Sequence, residues 1–223
     1  MKLALFDLDG TLIPKDSDHA FGEFAITLGW ADAQTFRKGN DAFYDDYAAG
    51  RLDIHAYVDF ATAPWRDRPA AALARATERF LSLVVQPMLH RPALDLVKRH
   101  QDAGDLVAVV TATNDFVTRP IARLFGVDEL IATDLQRDAQ GRVTGRIDGV
   151  PSFREGKITR VQQWLGARGL AFDSFDRSTF YSDSTNDLPL LERVSEPVAT
   201  NPGPALERIA QERGWPVLKL FTP

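Results

Sequence analysis

The 223-residue chain contains no cysteine. Disulfides, thiolate nucleophiles and Cys-based zinc or iron–sulfur sites are therefore excluded. Positive charge is also scarce, with 26 Lys and Arg against 31 Asp and Glu and a formal net charge of -5. That leaves no basic footprint for nucleic acid, so an anionic substrate must be met by local positive charge or by a metal. No apolar run approaches the roughly 18 residues of a membrane span, and Asp7 and Asp9 interrupt the amino-terminal apolar segment before it could act as a signal sequence. A cytoplasmic protein with no membrane partner is expected. The histidines, His19, His55, His90 and His100, lack metal-ligand spacing and read as surface or packing residues. There are no internal repeats, and the alanine-rich stretch around Ala70 to Ala76 is simply good helix former.

What is present is a hydrophobic content of 44%, enough for one large domain or a core with a smaller partner. The chain is organised around Leu5-Phe6-Asp7-Leu8-Asp9-Gly10-Thr11-Leu12. Leu3 to Phe6 reads as a short buried parallel strand, followed by two carboxylates at i, i+2 and a Gly-Thr turn. Extended backbone puts Asp7 and Asp9 on the same side, and like charges that close call for a cation, a shared proton or a reaction. An ordinary acidic turn is the plainer alternative.

From Ile13 to Pro87 no strand is evident. Helical stretches are expected from His19 to Leu28 behind the N-cap candidates Asp16-Ser17-Asp18, from Asp32 to Ala49, from Asp53 to Thr62 and from Pro69 to about Val85. Such a block resembles a small helical insertion over the site of Asp7 and Asp9. After a helix from Pro92, Leu106 to Val110 reads as a buried strand ending in Thr111-Ala112-Thr113-Asn114-Asp115. These polar residues can cradle an anion or simply cap the helix Phe116 to Phe125. Leu130 to Thr133 reads as a strand and Asp134 to Ile147 as a hairpin about Asp138-Ala139-Gln140-Gly141. Glu155-Gly156-Lys157 opens the next helix, where a Lys is slightly unfavourable toward the helix dipole. Phe180 to Ser182 then leads into Asp183-Ser184-Thr185-Asn186-Asp187, ahead of an apolar helix with Pro189 in its first turn. Pro197 to Thr200, Pro204 to Arg213 and Val217 to Phe221 read as strand, helix and strand without evident chemistry.

Strand–helix alternation outside the helical block predicts an α/β fold, a doubly wound parallel sheet with ligands at the strands' carboxyl ends. Asp7, Thr111 and Asp183 all fall at such ends. In that order, Asp-Leu-Asp-Gly-Thr, Thr111, Lys157 and the Asp183 to Asp187 stretch resemble the four motifs of haloacid dehalogenase superfamily phosphatases. The resemblance covers Leu5 to about Leu191. It implies a core of residues 1–13 and 88–223 with an all-helical cap, 14–87, inserted after the first strand.

What the resemblance implies for chemistry is hydrolysis of a small phosphate monoester through an aspartyl phosphate. Asp7 would be the nucleophile and Asp9 the general acid and base, with Thr111 and Lys157 stabilising the phosphoryl oxygens. Gly10, Thr11 and Ala112 would complete the phosphate cradle. Mg²⁺ would be held by Asp7, the Asp9 carbonyl and Asp183, an all-oxygen set of the kind it prefers, with Asn186 and Asp187 behind. The insertion resembles that of phosphoserine phosphatases and a group of histidinol-phosphate phosphatases. In the former an acid contacts the substrate amine, at the offset of Asp16, and a cap Arg reads the carboxylate. Here Asp59 is expected at the Arg position, which disfavours phosphoserine and suits histidinol phosphate. Arg51, Arg66 or Arg68 remain alternatives for the missing charge, and helix capping remains the alternative for Asp16 and Asp18. A phosphotransferase, a mutase or a silent phosphate-binding module would carry the same motifs.

Overall fold

A computed structural model describes residues 1–221. The central strand β1 (Lys2–Phe6) is flanked by β2 (Leu106–Asn114) and β6 (Arg177–Ser182). β3 (Leu130–Thr133) lies outside β2, while β7 (Glu196–Thr200) and β8 (Val217–Leu218) lie outside β6. All neighbouring pairs are parallel, giving one six-stranded sheet in the order β3-β2-β1-β6-β7-β8. The expected doubly wound α/β fold is thus the fold observed. Because the chain crosses to both sides of β1, its carboxyl end lies at the switch point where such sheets open a crevice.

The apolar run of β1 is continuous because both sheet faces are covered. Ala4 and Phe6 point into a cluster with Leu96 and Val97 of α5 (Arg91–Asp102) and Val117 and Ile121 of α6 (Asp115–Leu124). Leu3 and Leu5 point the other way, among Val161 and Leu165 of α7 (Glu155–Gly166), Leu190 of α8 (Leu188–Leu191) and Leu206 of α9 (Pro204–Arg213). The period-2 alternation of an extended chain assigns the two faces.

Four α-helices precede α5: α1 (Ser17–Thr27), α2 (Ala33–Ala48), α3 (Ile54–Thr62) and α4 (Ala70–Phe80). Asp16, Asp32 and Asp53 cap the first three through side-chain oxygens, as their positions predict. The four are not equally buried. Phe21 and Phe24 of α1 and Phe80 of α4 join Trp65 in the same cluster as Phe6 of the sheet. α2 buries only Phe36 and Asn40, and a Phe36–Phe60 stack with centroids 4.5 Å apart ties it to α3. The helix expected to reach Val85 leaves α geometry after Phe80. Leu81–Val85 form a π turn and Gln86–Met88 a 3-10 turn, because Pro87 has no amide hydrogen to continue the ladder.

β2 runs on to Asn114 with a register irregularity after Val110, so residues expected in a loop continue the strand and Asn114 becomes the cap of α6. The terminal strand is shorter than expected, only Val217–Leu218. The hairpin forms between β4 (Leu135–Arg137) and β5 (Val143–Ile147), its turn held by Asp138, which accepts from the backbone of Gln140 and Arg142 at 2.9 Å each. Among the described residues no helix is long and apolar enough to cross a membrane.

Candidate active site

Register brings three strand ends together. Phe6 pairs with Val109 on one side and with Tyr181 on the other, which sets Asp7 one residue short of the level of Thr111 and of Asp183. The Asp7 amide continues the ladder, donating to the Tyr181 carbonyl at 2.9 Å.

The Asp7 side chain is buried. Its Oδ1 accepts from Lys157 Nζ at 2.8 Å and its Oδ2 lies 3.3 Å from the Thr11 hydroxyl, which is also 3.2 Å from Asp183 Oδ1. Lys157, in the first turn of α7, donates as well to Asp187 Oδ2 at 2.7 Å, an oxygen that also accepts from Ser182 Oγ at 2.7 Å. Gly10 has φ +77°, and a Cβ there would run into the Asp183 carboxylate, so only glycine permits this approach. Asn201, at the end of β7, donates to the Gly10 and Thr11 carbonyls at 2.9 and 3.1 Å and accepts from the Leu220 amide at 2.6 Å.

Burial pushes Asp7 up to about 6, Lys157 pulls it down and Asp187 pushes it up again. Burial works against the Lys157 charge, yet Asp187 and Asp7 outweigh it and hold the ammonium above its ordinary range. Asp183 is pushed well above the usual carboxylate range by burial and by its neighbours Asp7 and Asp187. Among the described residues no three His, Asp or Glu side chains converge on one metal position. The candidate set uses two carboxylates, Asp7 and Asp183, with the main-chain carbonyl of Asp9 as the third donor. Hard oxygens beside mutually raised carboxylates fit a small divalent cation, whose charge would lower all of them.

Asp9 also lies inside, pushed well above its ordinary range by burial and by Asp16. Its Oδ1 accepts from the Ser17 amide at 2.7 Å and its Oδ2 from the Thr113 hydroxyl at 2.9 Å. Thr111 Oγ1 accepts from the Thr113 amide at 3.2 Å, which leaves the Thr111 hydroxyl hydrogen available to a ligand.

Above these groups is a cavity whose floor is Asp7, Asp9, Thr111, Ala112 and Thr113. The helical side contributes Asp16, His19, Tyr57 and one face of α2, namely Asn40, Phe43, Tyr44 and Tyr47. No Lys or Arg of the described residues lines it. Asp16 is both a helix cap and a cavity wall, accepting from the His19 amide at 2.7 Å.

Two substrate assignments change. Asp18 is not a cavity residue: it is buried, accepts from Asn114 Nδ2 at 3.1 Å and lies beside the Tyr57 hydroxyl. Asp59 is not at the substrate position either. Its side chain is 68% exposed and pairs with Arg66 over Gly145 of the hairpin, because it lies on the outer face of α3. Asn186, expected behind the metal position, donates to the Tyr47 carbonyl at 3.0 Å. The alternative arginines are engaged elsewhere: Arg51 with Asp46, Arg66 with Asp59 and Arg68 over Trp30. His19, read as surface or packing, lines the cavity with Nε2 2.9 Å from Asp41. The α2 face was missed, although Asn40, Phe43, Tyr44 and Tyr47 have the i, i+3, i+4, i+7 spacing of one helix side.

The carboxyl end of α2 is fastened to the loops that carry Lys157 and Asp183. Besides the Asn186 contact, Arg154 donates to the Gly50 carbonyl from a backbone at φ 52°, and Tyr47 packs on Phe153 with centroids 6.1 Å apart.

The haloacid dehalogenase-like hydrolase family matches residues 4–192. A protein named histidinol-phosphatase from Neisseria meningitidis is 46% identical over 216 residues, 97% of each chain. Phosphoserine phosphatase SerB1 of Mycobacterium tuberculosis is 31% identical over 96% of this chain and 69% of its own. A solved protein of unknown function from Bordetella pertussis Tohama I superposes with a TM-score of 0.93 at 50% identity over 99% of both chains. A substrate-bound phosphoserine phosphatase superposes with a TM-score of 0.67 at 19% identity, over 97% of this chain and 92% of that one, a likeness of fold.

Proposed function

Because this chain belongs to the haloacid dehalogenase-like hydrolase family and is a phosphatase within it, we propose that its substrate is a small phosphate monoester bearing an amine and no carboxylate, namely histidinol phosphate. The observation that carries this reading is the lining of the cavity over Asp7 and Thr111, where Asp16 offers a carboxylate and no Lys or Arg is present, Lys15 lining only the adjoining space on the far side of Asp16. A phosphoserine carboxylate would be desolvated there without a cation, and an unpaired buried charge is strongly unfavourable. The histidinol-phosphatase relative, aligned over nearly the whole of both chains, supports the same choice.

In this reading Asp7 attacks phosphorus in line and forms an aspartyl phosphate. Lys157 keeps Asp7 ionised in spite of its burial, and Lys157 and the free Thr111 hydroxyl meet the phosphoryl oxygens. Asp9 gives its proton to the leaving alcohol and then takes one from the water that cleaves the acyl phosphate. Asp7, the Asp9 carbonyl and Asp183 would hold a Mg²⁺ ion, whose positive charge would let a carboxylate meet a phosphate dianion. Residues 14–87 act as the cap, with α2 and α3 shielding the reacting groups from bulk water.

The test is Mg²⁺-dependent phosphate release from histidinol phosphate and from O-phosphoserine, with Asp7→Asn as blank. A kcat/KM at least tenfold higher for histidinol phosphate is expected. Preference for O-phosphoserine would overturn the substrate, and full activity of Asp7→Asn would overturn the mechanism.

A further inference from the structure

The carboxyl of Asp9 is held on both oxygens by partners of different kinds. Oδ1 faces the Ser17 amide at 2.7 Å, and Oδ2 faces the Thr113 hydroxyl at 2.9 Å. Ser17 is the first residue of α1 and Thr113 belongs to β2, so the clamp draws one donor from the helical block and one from the sheet. Thr111 and Thr113 are i, i+2 in extended backbone and share a side of the strand end. One is placed to meet the phosphoryl group and the other meets the acid.

From this geometry, and resting on the hydrolytic reading above, we propose that Thr113 is the positioning residue of the general acid and base: with the Ser17 amide it fixes the plane of the Asp9 carboxyl and assigns Oδ2 as the oxygen that exchanges the proton. A backbone amide can only donate, so Oδ1 remains an acceptor throughout. A hydroxyl can donate to a carboxylate or accept from a carboxylic acid, so Thr113 can follow both states of Oδ2. In the first step the Asp7–phosphorus bond forms, the ester bond breaks, and the Oδ2 proton goes to the leaving oxygen. In the second, water oxygen bonds phosphorus, the Asp7–phosphorus bond breaks, and the water proton goes to Oδ2. Proton transfer needs heavy atoms within about 2.6–3.2 Å, a reach that a freely rotating carboxyl would meet only part of the time.

Two variants test the clamp from opposite sides. Thr113→Val removes the hydroxyl and keeps the branched shape. Ser17→Pro removes the amide hydrogen at a first helical position, where proline is tolerated, and Asp16 before it already has the φ -68°, ψ 118° that a following proline requires. Each is assayed with histidinol phosphate, whose alkoxide leaving group needs a proton, and with p-nitrophenyl phosphate, whose phenolate does not.

The expected result is a kcat loss of roughly tenfold or more on histidinol phosphate with KM little changed. On p-nitrophenyl phosphate both variants should release a rapid burst of about one p-nitrophenolate per enzyme, followed by slowed turnover, because only hydrolysis of the acyl phosphate still needs Asp9. Thr113→Ser should restore most of the rate. A merely structural hydroxyl would lower the melting temperature and leave the contrast between leaving groups unmoved. Wild-type kinetics in both variants, an equally slowed burst and histidinol phosphate rate, or a Thr113→Ser protein as impaired as Thr113→Val would each overturn the proposal. An active wild type with unimpaired variants overturns this proposal alone, whereas a wild type inactive on both esters overturns the hydrolytic reading and the clamp with it.

Discussion

Lys157 and Asp187 form an ion pair of 2.7 Å in which the two side chains are only 1% and 2% exposed. The same ammonium reaches Asp7 at 2.8 Å, so the charge of the proposed nucleophile is balanced by a lysine that a second carboxylate holds in place. Removing one member of an isolated buried pair costs roughly 3–5 kcal/mol, and because Lys157 keeps Asp7 as a partner the loss of Asp187 costs less than that. Asp187→Asn should therefore lower the urea unfolding midpoint and also reduce kcat, as Lys157 shifts toward Asp7. Unchanged unfolding would show that the pair contributes nothing net.

Gly10 should tolerate no side chain. Its φ of +77° disfavours any L-residue, and a Cβ would displace Asp183. Gly10→Ala is expected to cost about 1–3 kcal/mol in backbone strain and to abolish phosphate release by moving Asp183 away from Thr11. Circular dichroism and turnover together check this, and an active Gly10→Ala protein would show that the loop can move aside.

Burial pushes the Asp18 carboxyl up to about 7, Asp16 pushing the same way while Tyr57 and Asn114 pull it down. The folded protein therefore binds this proton more tightly than the unfolded chain, whose carboxyl titrates near its ordinary value. Its contribution to stability is fully present below about pH 4 and is lost as pH rises to about 7, with a slope of at most about 1.4 kcal/mol per pH unit. Asp18→Asn keeps an oxygen for Asn114 and carries no proton equilibrium. Unfolding measured from pH 4 to pH 8 should fall less steeply with pH in the variant than in the wild type, the remaining slope coming from the raised carboxyls of Asp7, Asp9 and Asp183, and the variant should be the more stable protein at pH 8.

Asn186 and Arg154 together hold the end of α2 through the carbonyls of Tyr47 and Gly50. A single hydrogen bond contributes about 1 kcal/mol net, so Asn186→Ala should leave the melting temperature nearly unchanged. It should raise KM several-fold and speed amide exchange at the carboxyl end of α2. Exchange as slow as in the wild type would show that this contact does not govern opening.

The sheet, and the gathering of Asp7, Thr111 and Asp183 at its strand ends, were legible because their signals are local. An apolar run ending in carboxylates, or in a threonine, reads the same wherever the chain goes next, and the parallel register brings Asp7 within one residue of the level of Thr111 and Asp183. The cap was legible as helices but not as a surface. Asp59 and Asp18 were misplaced because which side of a helix meets a cavity depends on how α1 and α3 rotate against the sheet, and adjacent acids at a helix start give no such information. Asn201 and Thr113 escaped for a different reason. Each reaches a segment 100 or more residues earlier in the chain, Asn201 to Gly10 and Thr11, and Thr113 to Asp9, and neither pairing leaves a pattern in its own neighbourhood.

The unequal burial of α1 to α4 decides where the cavity wall can change. α1 and α4 share their aromatic residues with the sheet's own core, so substitutions there threaten folding. α2 meets the cavity with Asn40, Phe43, Tyr44 and Tyr47 while burying only Phe36 and Asn40. Exchanging Phe43, Tyr44 or Tyr47 therefore alters the cavity wall while leaving the strand ends and the sheet's own core untouched.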